Sequence, residues 1–248
     1  MKLAERSSDE ELAMKLANPI ASLISVPFQY NYDHDFGVAD DGHRNLLNVQ
    51  PVVPFSLNED WNVISRTILP VTWTDDVPSG TGNEFGLGDV VQSVFFSPKE
   101  KTAGGATWGV GPVLLLPTAT ETTLGSEKWG AGPTAVVLWQ DGPYTYGGLG
   151  NHLWSFAGDE QRSEVNATFL QPFVAYTTKS AMTFTLNSEG TYDWNSNDWS
   201  IPVNAIVSQL VTVGSQKISV GAGVRYWAET SEAGPEGFGL RIACTLLF

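Results

Sequence analysis

Three histidines are the only imidazoles in 248 residues, and His34 and His43 sit among Asp33, Asp35, Asp40 and Asp41. A carboxylate beside an imidazole can serve as a general base, and an acidic loop can hold Ca²⁺ through oxygen ligands. The Asp-x-Asp-x-Asp-Gly register of a calcium loop is absent, as is a Gly-x-Ser-x-Gly nucleophile turn. The group therefore reads as an exposed acidic loop with incidental His, and no catalytic residue, metal or cofactor is expected. Cys244 is the single cysteine, so no disulfide framework exists. A second set is more suggestive. Arg66, Asp89, Glu189, Arg225 and Arg241, with Asn48 and Gln50, are charged or polar residues set within apolar alternations. Such residues suit recognition of a solute, or bracing of a wall, rather than bond making.

What positions them follows from composition and period. The formal net charge is −14, which argues against nucleic-acid binding because phosphate contacts need a basic face. Charged residues make up 16%, below the usual quarter, while aromatics reach 11% with nine Trp. So few charges beside so many aromatics suggest that part of the outer surface does not face water. Thr102–Thr120 and Ser200–Gln216 are free of charge over helix-spanning lengths. Gly104, Gly105, Gly109, Gly111, Pro112 and Pro117 break the first, and Pro202, Asn204 and Gln209 interrupt the second. No transmembrane helix is expected.

From Leu23 onward the period is two. Leu47, Val49, Pro51, Val53 and Phe55 alternate with Asn48, Gln50 and Ser56, and Leu240, Ile242, Cys244, Leu246 and Phe248 alternate with Gly239, Arg241, Ala243 and Thr245. Alternation of this kind marks strands with one apolar and one polar face. Twelve segments read this way: roughly 22–33, 44–57, 61–74, 85–97, 105–118, 129–140, 144–156, 166–178, 181–192, 199–213, 217–229 and 238–248. Their connections sort by parity. Asp33–His43, Asp75–Glu84, Ala119–Lys128, Ala157–Val165, Asp193–Asp198 and Thr230–Gly237 exceed the turns beside them, and they gather most of the acids. Trp61, Trp73, Trp129, Trp139, Trp154, Trp194, Trp199 and Trp227 fall near segment ends, as interfacial girdles require. A soluble sandwich has no reason to sort its loops so. The expected fold is all-β: a single antiparallel transmembrane β-barrel of about 12 strands, residues 22–248, with both termini on the short-turn side. Nine prolines inside the segments oppose a closed ladder and demand bulges, breaks or wet sites.

Residues 1–21 form the other expected unit, a short N-terminal helix acting as a periplasmic or plug segment. Ser8 and Glu11 suggest a capping box, and Asn18-Pro19 a stop before Ile20. Residues 1–7 lack the apolar core of a signal peptide. A barrel must be exported, so a cleaved signal peptide is expected to precede Met1. The chain ends in Phe248 after an alternating apolar run, as in the C-terminal signal read by the barrel assembly machinery.

Several stretches resemble a known family: residues 18–31 (NPIASLISVPFQYN), 47–70 (LNVQPVVPFSLNEDWNVISRTILP), 86–98 (GLGDVVQSVFFSP), 151–159 (NHLWSFAGD) and 171–178 (QPFVAYTT). They are similar to bacterial outer-membrane proteins grouped with the phenol meta-cleavage pathway. The resemblance runs over nearly the whole chain after residue 18. It implies a Gram-negative outer-membrane barrel, contacts with lipid bilayer and lipopolysaccharide, and uptake of small, aromatic compounds. It supplies no catalytic or binding motif.

With apolar faces toward lipid, the opposite faces line a lumen. Arg225 and Arg241 fall there on the last hairpin, Arg66 and Glu189 share the phase, and the phase around Asp89 is ambiguous. Two readings stand: a constriction that selects solutes, or ion pairs that brace the wall. Gly109, Gly111, Gly221 and Gly223 either widen the bore or relieve strain in a curved sheet. The expected function is passive passage of small hydrophobic or aromatic solutes. The alternatives are a non-transporting structural or surface-interaction barrel and, less favoured, a barrel enzyme.

Overall fold

A computed structural model describes residues 2–37 and 39–248 of the chain. Helix α1 spans Lys2–Leu16. The strands are β1 (Ser25–Phe36), β2 (Gly42–Val49), β3 (Val52–Ser56), β4 (Trp61–Asp75), β5 (Asn83–Leu87), β6 (Val90–Pro98), β7 (Ala106–Leu116) and β8 (Lys128–Asp141). They continue as β9 (Tyr144–Gly158), β10 (Asn166–Thr177), β11 (Met182–Ser188), β12 (Gly190–Asp193), β13 (Asp198–Val213), β14 (Gln216–Glu229) and β15 (Phe238–Leu247). Three pairs, β2/β3, β5/β6 and β11/β12, are single staves interrupted by a break, so the sheet is a closed 12-strand antiparallel barrel. It closes where β1 pairs with β15, from Ser25 opposite Leu247 to Tyr32 opposite Leu240.

Each expected segment corresponds to one stave, because period-two burial fixes register wherever the two faces differ. The breaks fall at Gln50-Pro51, Gly88-Asp89 and Glu189. Prolines account for several irregularities. Pro51 lies in a break, Pro202 adjoins a bulge at Ile201, and Pro112 faces Pro133 across β7 and β8. Beside that pair the β6–β7 ladder lapses between Ser93–Val113 and Phe96–Val110. Glycine explains the close approach there: a Cβ on Gly111 would sit 1.9 Å from the Val94 carbonyl oxygen. At Gly223 it would sit 2.2 Å from that of Ala205. Both positions relieve crowding between staves.

The outer face is apolar with aromatic ends. Trp61–Trp108, Trp139–Tyr146 and Tyr144–Tyr176 cluster at the short-turn end, and Trp73–Phe85, Tyr192–Trp199 and Tyr226–Phe238 at the long-loop end. One expectation fails. Trp227 points into the barrel, where its indole Nε1 donates to Asp33 at 2.9 Å.

The interior departs further from the alternation. Ile64, Phe95, Val136, Leu138 and Leu149 form a buried cluster inside the barrel, with Phe169 and Phe173 against it. The same strands carry Phe96, Val137 and Val174 on the outside. Staves β4, β6 and β8–β10 thus carry apolar side chains on both faces, while the buried charged hub lies along β1, β2 and β11–β15. Ile20 closes the apolar half from below, 4% exposed and packed in that cluster. Burying such a side chain contributes about 1.5–3 kcal/mol.

Helix α1 begins earlier than the capping pattern suggests, so Ser8 lies within it rather than at its end. Its Ala13 packs with Ala181, Leu210 and Leu247 at the short-turn end, joined by Leu12, Leu16 and Leu23. Lys217 Nζ meets Asp9 Oδ1 at 2.5 Å, and Gln140 donates to the Met14 carbonyl at 2.9 Å.

Candidate functional site

The polar half of the lumen is organised around two carboxylates. Asp33, fully buried on β1, receives Arg44 Nη2 at 3.1 Å from β2 and Trp227 Nε1 at 2.9 Å from β14. Arg225 Nε lies 3.2 Å from Oδ1, the oxygen that also accepts from Trp227, as an ion pair, and its guanidinium sits 4.6 Å over the Trp227 ring. Glu189 reaches inward from the break between β11 and β12. Arg241 Nη1 and Nη2 donate to its two oxygens at 2.8 and 2.6 Å, and Arg225 Nη1 is 3.9 Å away. Arg241 Nε completes its fork on Asn31 Oδ1 at 2.7 Å. Bidentate contacts of this kind fix geometry as well as charge. Asn204, also fully buried, donates to Asn187 at 2.8 Å.

Alternation explains why these groups converge. Asn31 and Asp33 share one face of β1, while Tyr30 and Tyr32 take the other. Register then sets Asp33 opposite Arg44, and Asn31 opposite Arg241. Glu189 sits at the break with its backbone N–H held on the Pro202 carbonyl at 3.2 Å, and its side chain reaches the arginines of β14 and β15. Arg225 and Arg241 are therefore neighbours, but both are engaged by carboxylates.

Arg66 is different. It lies on β4 opposite Val52, and its Nη2 donates to Gln50 Oε1 at 3.0 Å. Among the described residues no carboxylate comes within 4.0 Å of it. Gln50 is held in turn by its backbone N–H on the Pro27 carbonyl at 2.8 Å, a bond made available by the β2/β3 break. Arg66 and Gln50 border a cavity of about 260 Å³ between the N-terminal segment and the wall. Asn48 has the lumen phase, opposite Gln29 and Pro70. A second space of about 650 Å³ lies at the long-loop end, bordered by Phe36, Arg44, Thr191, Ser200 and Trp227. The buried hub separates the two.

Asp89 stands apart from the lumen group. Its carboxylate accepts from the Ser126 N–H and hydroxyl, both at 2.6 Å, and from the Ala119 N–H at 3.2 Å. It fastens the 117–127 loop, whose Leu124 carbonyl comes close to Gly88. Period alone could not show this, since the apolar residues flanking Asp89 occupy both phases.

The histidines are all on the outer face or its rim. His34 pairs with Asp35 at 2.7 Å, and His43 lies 3.8 Å from Asp75, both partly exposed. His152 Nδ1 meets Thr168 Oγ1 at 2.7 Å and Nε2 meets Asn166 Oδ1 at 3.1 Å. That hydroxyl also accepts from Trp194 Nε1 at 2.8 Å, so it serves as a bridge within the aromatic girdle. Asp33 is the residue sequence reasoning placed elsewhere, in the outer acidic loop. Its phase with Asn31 was the available signal.

No family model matches the chain, and no curated protein sequence matches it either. Solved structures do. An outer membrane channel from Pseudomonas putida F1 superposes with a TM-score of 0.71 at 13% identity, covering 92% of this chain and 96% of that one. Outer membrane phospholipase A from Escherichia coli gives 0.54 at 9% identity, with 90% of each chain covered. The NanC porin gives 0.52 at 14% identity, covering 90% and 98%. At these identities the likeness is one of fold. The chain has the architecture of outer-membrane β-barrels, a fold shared by channels and by an enzyme.

Proposed function

We propose that the chain is a non-enzymatic channel of the Gram-negative outer membrane for passive passage of small hydrophobic or aromatic solutes. The observation that carries this reading is the lengthwise division of the lumen. An apolar wall with Phe95, Phe169 and Phe173 faces a polar wall, with spaces of about 260 and 650 Å³ at the two ends. A solute with a flat apolar body and one polar group matches both walls at once. The fold common to the channel from Pseudomonas putida F1 and the NanC porin is in keeping with it. Arg225 and Arg241, engaged by Asp33 and Glu189, act as wall braces in this reading rather than as a selecting constriction.

The barrel meets lipid bilayer and lipopolysaccharide with its outer face and presents the strand ending at Phe248 to the assembly machinery. Cysteine at Ser196 should react with an impermeant reagent on intact cells, while cysteine at Ser180 or Ser215 stays protected. The direct test is planar-bilayer conductance and liposome swelling of the purified protein. Permeation that rises on deletion of residues 1–24 is the expected result. A second reading, a non-transporting wall barrel, is favoured by the buried hub crossing the bore. No permeation of any solute, with or without residues 1–24, would establish it.

A further inference from the structure

We propose that the cavity above the N-terminal segment is a recognition site for small monocarboxylates with compact apolar bodies, the carboxylate seated on Arg66. The proposal rests on the channel reading and names the solute that the inner end of the lumen prefers.

Charge is the first argument. In a chain of net charge −14, no Asp or Glu among the described residues lines this cavity, whereas Arg66 and Lys15 both do. The guanidiniums of the hub are committed to Asp33 and Glu189, while Arg66 spends one nitrogen on a neutral amide. Gln50 accepts from that nitrogen and is itself anchored through its backbone, so it fixes the guanidinium plane without neutralising it. A planar fork with donors to spare matches a carboxylate in geometry as well as in sign.

The remaining wall describes the rest of the ligand. Thr183, Thr185, Ser208, Ser219 and Thr245 place hydroxyls on one side, and Leu16, Pro19 and Leu23 place apolar surface on the N-terminal side. At about 260 Å³ the space falls just short of the roughly 300–1,000 Å³ that holds drug-sized molecules. It suits a single ring or a short chain. The neighbouring apolar cluster around Ile20 and Val52 excludes water from that end and strengthens a guanidinium–carboxylate contact.

The test is calorimetric titration of the detergent-solubilised full chain with benzoate and octanoate, using benzyl alcohol and inorganic phosphate as controls. Benzoate should bind saturably and weaken as salt rises. Arg66→Gln should weaken it about ten- to hundredfold, the worth of a hydrogen-bonded charge contact, and leave benzyl alcohol unaffected. Ser208→Asp, which keeps Arg66 and adds a carboxylate to the wall, should also suppress benzoate. It guards against a folding defect specific to Arg66→Gln, and retained heat-modifiable mobility reports the fold of each variant. Equal benzoate affinity in wild type and both variants, or tighter binding of phosphate than of benzoate, would overturn the proposal. Solute permeation without saturable carboxylate binding would overturn it while leaving the channel reading intact. Arg66-dependent binding without permeation would do the reverse.

Discussion

Removing Glu189 strips the lumen hub of one of its two carboxylates, and the geometry sets the size of the effect. Glu189 accepts two hydrogen bonds from Arg241, at 2.8 and 2.6 Å, and lies 3.9 Å from Arg225. Arg241 is 1% exposed and Arg225 6%, so neither guanidinium can turn to water when its partner goes. Unit charges about 4 Å apart interact by about 4 kcal/mol at an effective dielectric near 20. Breaking a buried pair from one side typically costs about 3–5 kcal/mol. Glu189→Ala should therefore destabilise the barrel by about 3–5 kcal/mol, read from reversible denaturant unfolding in detergent micelles by Trp fluorescence. Glu189→Met with Arg241→Met removes both charges and should recover most of that loss, since apolar replacement of a buried pair is often near neutral. A loss below about 1 kcal/mol for Glu189→Ala, the range of exposed pairs, would refute the view that the hub is buried and interdependent. So would a double variant no more stable than the single one.

Asp89→Asn should release the 117–127 loop by weakening its hold on Ser126 and Ala119. Limited proteolysis should then cut that loop faster, with little change in global unfolding. Ile20→Ala opens a void in the buried cluster with Val52, Ile64 and Phe95, and should cost about 2–4 kcal/mol in the same unfolding assay. Hydrogen bonds from the Lys128 ammonium and the Ser155 hydroxyl hold the Glu164 carboxyl below its ordinary range. A depressed carboxyl contributes stability present above the unfolded Glu value of about 4.3 and lost as pH falls through the folded value. Hydrogen exchange in residues 159–165 should therefore accelerate as pH drops below about 4, and in Glu164→Gln it should already be fast at neutral pH.

The barrel was legible in the sequence because one polar face per stave is a strong signal along β1, β2, β14 and β15. Loop parity supplied the rest of the topology. What stayed hidden follows from places where alternation carries no information. In β6–β8 Phe95 and Phe96, or Val136 and Val137, are apolar on both sides, so the internal hydrophobic cluster leaves no contrast to detect. Arg225 and Arg241 were visible as lumen neighbours, yet their state was not, because Asp33 comes from the far end of the chain and read as loop. Glu189 had the correct phase, but its partners Arg225 and Arg241 come from staves far along the chain. Arg66 shows the same limit: that no carboxylate of the described residues comes within 4.0 Å of it is a property of three-dimensional neighbours.

The seam between β1 and β15 joins the two ends of the polypeptide, and the hub lies across it. Arg241 finds Asn31 over 210 residues of sequence, Trp227 finds Asp33 over 194, and Lys217 finds Asp9 over 208. Contacts of such separation form late, because the intervening chain must be ordered before they repay its loop-closure entropy. Until β15 docks, Glu189 lacks Arg241, and Asp33, across the open seam, lacks Arg225. Assembly is in consequence a ratchet with its catch at the final step: an unfinished barrel carries stranded charge, and docking of β15 discharges it and locks the circle at once.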